Sequence, residues 1–193
     1  MASTEARSPD RILNKALKLF SHKGYDATSV REICEAAEIT KPTLYHFYGS
    51  KEGVYRALVD GALEEHRGRL ESLVGSPGTA RERLARVAQD YFRSAREQRE
   101  LMRFIFALIH NPPSSAPPTD FPRYYEGVVR IISHAVEDGV REGAFAPGPT
   151  DLRMLVFMGA LAEAVVGYLV AGRPELTPEL ADAVVDVVVR GWS

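Results

Sequence analysis

Apolar residues recur along most of this chain at the three-and-four spacing of a helix face, and no stretch alternates as a half-buried strand would. Ile12, Leu13, Ala16, Leu17 and Phe20 fall on one face behind Ser8 and Pro9, which suit N-cap and first-turn positions. That helix is expected to stop at Gly24. "SVRE" at 29–32 is a capping box, and the helix it opens turns Val30, Ile33, Cys34 and Ala37 inward. After a tight turn through Glu38 and Ile39, Thr40 can cap a third, short helix anchored by Leu44 and Phe47. A long connecting helix follows over 50–74, with Val54, Tyr55, Leu58, Val59, Leu63 and Leu70 in its buried stripe, until "GSPG" breaks it.

"TARE" at 79–82 repeats the capping box before a fifth helix with Leu84, Val87, Ala88, Tyr91, Phe92 and Ala95 on its face. "ELMRFIFALIH" is apolar nearly all round, which predicts a central sixth helix near 98–110. The Pro-rich run 111–122 is the longest loop, and helices near 122–142, 150–172 and 177–191 complete an all-α chain of about nine helices. The expected organisation is an amino-terminal arm and three-helix head over 1–52, with a helical domain over 53–193.

Charge and composition narrow the functions open to such a chain. Twenty-four Lys and Arg against 26 Asp and Glu leave a net charge of −2, so any nucleic-acid partner must be met by local positive charge. The single cysteine excludes an internal disulfide framework and a CxxC metal clip, and suits a reducing, cytoplasmic location. The stretch "MASTEARSPDR" carries no apolar segment of the secretory kind. "MLVFMGALAEAVVGYLVAG", 154–172, approaches the length that crosses a bilayer. Glu163 near its centre, with many alanines and glycines, favours a core or subunit-interface helix and no membrane partner.

Two short helices joined by a tight turn, the second steadied by the first, have the dimensions of a helix-turn-helix with its reading head at about 29–48. With Leu44 and Phe47 anchoring the second helix, Lys41, Pro42, Thr43, Tyr45 and His46 are left around its outer side. Pro42 occupies a first-turn position where its missing N–H costs little. Lys41 can donate to a guanine edge, and Thr43 and the Pro42 ring can touch a thymine methyl. Tyr45, His46 and Lys51 can reach phosphates, as can Thr28, Ser29 and Arg31 from the head of the preceding helix. Residues 1–55 hold eight Lys and Arg against seven Asp and Glu, so one head alone binds weakly and two are needed.

The stretch "GYDATSVREICEAAEITKPTLYHFYGSKEGVYRAL", 24–58, resembles the DNA-binding signature of the TetR family of transcriptional regulators. It has the Gly–aromatic pair, the Thr/Ser-led helix, the Ile-x-x-x-Ala spacing, "T-L-Y-x-x-F/Y" and a following "S-K-E". The resemblance covers roughly 10–60. It implies an all-helical homodimer, usually a repressor, whose carboxy-terminal helices bind a small molecule that alters the spacing of two heads on double-stranded operator DNA. It also implies that Arg31, Thr40, Lys41, Pro42 and Thr43 face bases, while Thr28, Tyr45, His46 and Lys51 mainly hold phosphates. Glu38 departs from the pattern, which usually has glycine in the turn, and a carboxylate there is expected to weaken operator binding.

Other features have plain structural readings beside their chemical ones. Cys34, on an inward face, reads as a small hydrophobe more than as a thiol switch. His66, His110 and His134 lack both HExxH and Glu-x-x-His spacing, so no metal and no cofactor is expected. Gly159, Ala160, Ala164 and Gly167, with Val184 and Val188 from "AVVDVVV", suggest a dimer seam through the last two helices, a packed monomer core being the alternative. Phe104, Ile105, Leu108, His110, Tyr124, Tyr125, Val128, Phe157, Met158 and Leu161 would suit a largely apolar or aromatic effector, and equally a plain core. No nucleophile, acid–base pair or metal set stands at a recognised spacing, so the chain is not expected to be an enzyme. A helical enzyme, or a constitutive DNA-binding protein whose later helices only dimerise, are the alternatives.

Overall fold

The computed structural model describes residues 9–110 and 115–192. Ser8, expected as the first N-cap, and residues 111–114 of the Pro-rich loop lie outside the described residues. Among those described, nine helices account for the regular structure: α1 Pro9–Lys23, α2 Val30–Ala37, α3 Lys41–Tyr48, α4 Lys51–Val74, α5 Ala80–Glu97, α6 Arg99–His110, α7 Phe121–Arg141, α8 Thr150–Ala171 and α9 Pro178–Arg190. Local signals set their ends. Ser29 and Thr79 make complete capping boxes with Glu32 and Glu82, and Thr40 and Thr177 cap helices that carry proline in the first turn.

Two compact units divide the chain. The first holds residues 1–64 and 100–120, and the second 65–99 and 121–193. Compactness therefore groups nearly all of α6 with the head helices, a different division from the expected boundary at 52/53.

In the first unit α1 packs on α2 and α2 on α3. Ile12, Ala16, Ile33, Ala37, Leu44 and Val54 are completely buried there. Four rings extend this core: Phe20, Tyr25 and Tyr55 pack with centroids 4.9–5.7 Å apart, and Phe104 of α6 lies 5.7 Å from Tyr55 and 6.4 Å from Phe20. Edge-on and tilted rings at these distances add directional attraction to the burial of area. Phe104 is thus a core residue of this unit.

In the second unit α5 packs against α7, α8 and α9, and α8 touches both α7 and α9. Ala88, Phe92 and Ala95 of α5, Ile132 and Val136 of α7, Phe157, Leu161 and Val165 of α8 and Val185 of α9 are buried. The carboxy-terminal end is clamped. Trp192 meets the edge of Phe145 at 5.0 Å, and buried Arg153 donates to the carbonyls of Ala146 at 2.7 Å and Trp192 at 3.3 Å. Buried Arg83 donates to the Gly78 carbonyl at 2.6 Å and to Glu142 at 2.7 Å, fixing the start of α5 to the end of α7. Burying a guanidinium is tolerable only with such partners.

Helix α8 is long and apolar enough to cross a membrane by length and composition, and 28% of its most apolar window is buried. Leu152, Leu155, Val156 and Val170 are exposed along it, and Val187 is exposed on α9.

Candidate nucleic-acid interface

Helix α3 shows the two-sidedness that its sequence requires. Leu44 is completely buried, while Lys41, Pro42, Tyr45 and His46 are exposed and Thr43 is half-buried. Thr40 accepts from the Thr43 amide at 3.4 Å and its hydroxyl lies 2.9 Å from that of Thr43, so the first turn is held rigid. Gly49, at φ 72°, ends the helix in a conformation that costs a larger residue more. A Cβ on Gly53 would run into the Tyr48 carbonyl, so α4 starts this close to α3 only because glycine stands there.

Phe47 is a correction. Expected as an anchor, it is 41% exposed and packs against His46 and Tyr48, with ring centroids at 5.2 and 6.4 Å. Tyr48 takes the anchoring role, donating to the Pro9 carbonyl at 2.9 Å. Three rings instead of two therefore border the outer face of α3.

Lys51 and Thr28 are corrections of a different kind. The Lys51 ammonium donates to the carbonyls of Tyr25 at 2.9 Å and Thr28 at 3.0 Å and sits 4.1 Å above the Tyr25 ring. It is a clip between the start of α4 and the α1–α2 turn, not a group aimed at a phosphate. Thr28 is 1% exposed, and its hydroxyl donates to the Gly24 carbonyl at 2.8 Å. The Ser29 hydroxyl is occupied in the capping box, which Lys23 reinforces through Glu32. Arg31 remains exposed, paired to Glu35 one turn on at 2.7 Å. An exposed pair of this kind holds loosely and can yield the guanidinium to another anion.

Glu38 takes the left-handed conformation, φ 51°, that closes the α2–α3 turn, and its amide caps α2 by donating toward Cys34 and Glu35 carbonyls. Arg11 reaches its carboxylate at 2.6 Å and holds it below the usual carboxylate range. The expected repulsion toward DNA is therefore partly neutralised within the head. Cys34 is buried, and burial pushes its thiol up, as befits an inert packing group.

The residues expected around an effector fall in both units. In the first, Leu108 is buried, Ile105 half-buried and His110 exposed, its Nδ1 2.8 Å from the Phe106 carbonyl. In the second, Val128, Phe157 and Leu161 are buried, Met158 and Tyr124 half-buried, and Tyr125 exposed. Exposure removes His110 and Tyr125 from any buried lining. Sequence reasoning set His66 aside and read Tyr91 only as packing, yet the two stand together with Tyr124. The Tyr124 hydroxyl lies 2.5 Å from His66 Nδ1, and Tyr91 meets the His66 ring edge-on at 6.3 Å. No sequence signal pairs residues 58 positions apart. No group of three or more potential metal ligands occurs among the described residues.

Of the expected seam residues, Gly159 is exposed and Ala160, Ala164 and Val184 are half-buried. Gly167 and Val188 are corrections. A Cβ on Gly167 would meet the Arg173 carbonyl at 2.8 Å, so its smallness serves this chain's own packing, and Val188 is buried in its own unit.

A profile described as "Bacterial regulatory proteins, tetR family" matches residues 12–58. The HTH-type transcriptional repressor ComR of Escherichia coli K12 is 40% identical over 63 residues, which make up 33% of this chain and 30% of ComR. The chain thus spans less than a third of the length of ComR. The solved structure of the TetR family transcriptional regulator PfmR from Thermus thermophilus aligns with a TM-score of 0.75 at 26% identity, covering 96% of this chain and 97% of PfmR. The regulator FadR from Bacillus subtilis, solved in complex with stearoyl-CoA, aligns with a TM-score of 0.76 at 18% identity, covering 95% and 99%.

Proposed function

We propose that this chain, a TetR family protein by its head and its fold, is a cytoplasmic transcriptional repressor that binds a pseudo-palindromic operator as a dimer and responds to a small molecule. The observation that carries the reading is the exposed row Lys41, Pro42, Tyr45 and His46 on a capped two-turn helix whose opposite side, Leu44, is sealed. A helix so presented fits the major groove, with its first turn at base edges. Lys41, Pro42, Thr43 and Arg31 read bases, Thr40 sets their register as the cap, and Tyr45 and His46 hold phosphates.

The head carries little excess charge, so operator binding depends on two heads joined in one particle. The exposed apolar stripe of α8 and α9, with Val170 82% and Val187 71% exposed, supports a seam through these two helices. Gly159, Ala160, Ala164 and Val184 border that stripe. The likeness of fold to FadR, which holds stearoyl-CoA, supports a largely apolar effector among the later helices. Such a ligand acts by differential affinity for two shapes of the dimer, biasing the heads through α4.

Fluorescence anisotropy with a fragment of the chain's own promoter tests the reading. Lys41→Ala is expected to cost roughly 5- to 150-fold on the operator, the range of one base contact, and little on random DNA. Tyr45→Ala is expected to weaken both alike. Equal losses for Lys41→Ala on the two DNAs, or no preference for the promoter in the unaltered protein, overturn it.

A further inference from the structure

One polar cluster of the second unit serves neither a helix cap nor the carboxy-terminal clamp. Tyr124 of α7, His66 of α4 and Tyr91 of α5 converge, the Tyr124 hydroxyl 2.5 Å from His66 Nδ1 and the Tyr91 ring edge-on to the imidazole. Behind them Asp90, buried, is paired with Arg93 and with Arg69 at 3.4 Å, and Arg69 also holds Glu65 at 2.5 Å. Burial, with Arg69 nearby, pulls the imidazole down to about 4, so the ring is neutral. Burial likewise raises both phenols, that of Tyr124 to about 12, so each keeps its proton.

A phenol is a stronger acid than a neutral imidazole N–H, which assigns Tyr124 as the donor to Nδ1 and leaves the imidazole hydrogen on Nε2. Neither that N–H nor the Tyr91 hydroxyl has a hydrogen-bond partner among the described residues. Both residues are half-buried and keep accessible surface, and neither donor is among the sealed polar atoms of the chain, so both stay open to a ligand at no cost to the fold.

We propose that His66 Nε2 and the Tyr91 hydroxyl together receive the carbonyl oxygen of an uncharged, otherwise apolar molecule. The proposal rests on the ligand-responsive reading above and specifies what its site recognises. Every full charge in the cluster is already matched. A ligand carboxylate would meet a neutral imidazole and guanidiniums that hold Asp90 and Glu65, and a cation would meet an Asp90 already shared by two guanidiniums. A hydrocarbon would leave both donors unsatisfied. The helices α5 and α7 that carry Tyr91 and Tyr124 pack on each other and on α8, and Val128, Phe157 and Leu161, buried among these helices, are apolar.

Titration calorimetry on the full chain without DNA tests this with three probes of like size: 2-acetylnaphthalene, 2-ethylnaphthalene and 2-naphthoate. The ketone is expected to bind at least roughly tenfold tighter than the other two, the worth of one well-made hydrogen bond. Tyr91→Phe is expected to remove roughly that factor for the ketone and leave 2-ethylnaphthalene and the melting temperature unchanged. The infrared carbonyl stretch of the bound ketone moves to lower frequency in the unaltered protein and back in Tyr91→Phe. Tightest binding of naphthoate, no preference for the ketone, no binding of any probe, or a preference that survives both Tyr91→Phe and His66→Phe overturns the proposal. With no DNA in the cell, failure here leaves the promoter result standing, and failure of promoter binding leaves the ketone result standing.

Discussion

Lys51→Met removes an ammonium and keeps most of its apolar stem, which separates two roles for this residue. In the structure the ammonium makes two charge-assisted hydrogen bonds, to the Tyr25 and Thr28 carbonyls, and lies over the Tyr25 ring. Two such bonds contribute about 1.5 kcal/mol each and the ring contact about 0.5 kcal/mol. Water reaching the freed carbonyls recovers part of this, leaving a loss of about 2 kcal/mol in the local stability of the head. Amide hydrogen exchange read by mass spectrometry on peptides covering 25–37 should then quicken roughly 30-fold. Meanwhile the slope of log K against log salt for operator DNA should stay unchanged, because no phosphate contact is lost. A phosphate-binding Lys51 gives the reverse pattern: unchanged exchange, and a slope smaller by about 0.9 for each head. That result would refute the clip.

Three further outcomes are expected. His66, whose ring is depressed from 6.5 to about 4, stays neutral when folded while the unfolded chain takes up a proton. Its contribution is therefore flat above pH 6.5 and falls by about 3 kcal/mol as pH drops to about 4. Urea midpoints should show this loss in the unaltered protein and not in His66→Gln, and an imidazole titrating near 6.5 by NMR would contradict it. Leu155→Asp with Val187→Asp should turn a dimer into a monomer by analytical ultracentrifugation while the far-ultraviolet circular dichroism of the folded chain stays unchanged, since both side chains are exposed in the single chain. A dimer that survives both changes places the seam elsewhere. Glu38→Gly relieves the left-handed strain and removes a carboxylate from the turn, so operator affinity should rise. Unchanged affinity would mean that the Glu38 carboxylate lies too far from the DNA backbone to matter.

The sequence by itself determined the features that arise within one turn of helix. Ser29 with Glu32, Thr79 with Glu82, Thr40 before Pro42 and the break at 75–78 are local hydrogen-bonding and backbone preferences, and each stands as read. The buried stripes follow from the same short spacing, which is why the helices and the exposed row on α3 were legible. Tertiary structure alone decided what long side chains do once neighbours arrive. Lys51 could reach a phosphate or a carbonyl, and the α1–α2 turn, more than twenty residues earlier, settled it. Phe47 lost its place in the core to Tyr48, whose hydroxyl found Pro9 across 39 positions. His66 became a neutral partner of Tyr124 only because α4, α5 and α7 enclose it. Periodicity fixes which face of a helix turns inward; the depth of burial and the partner found there depend on segments far away in the chain, and no local pattern encodes them.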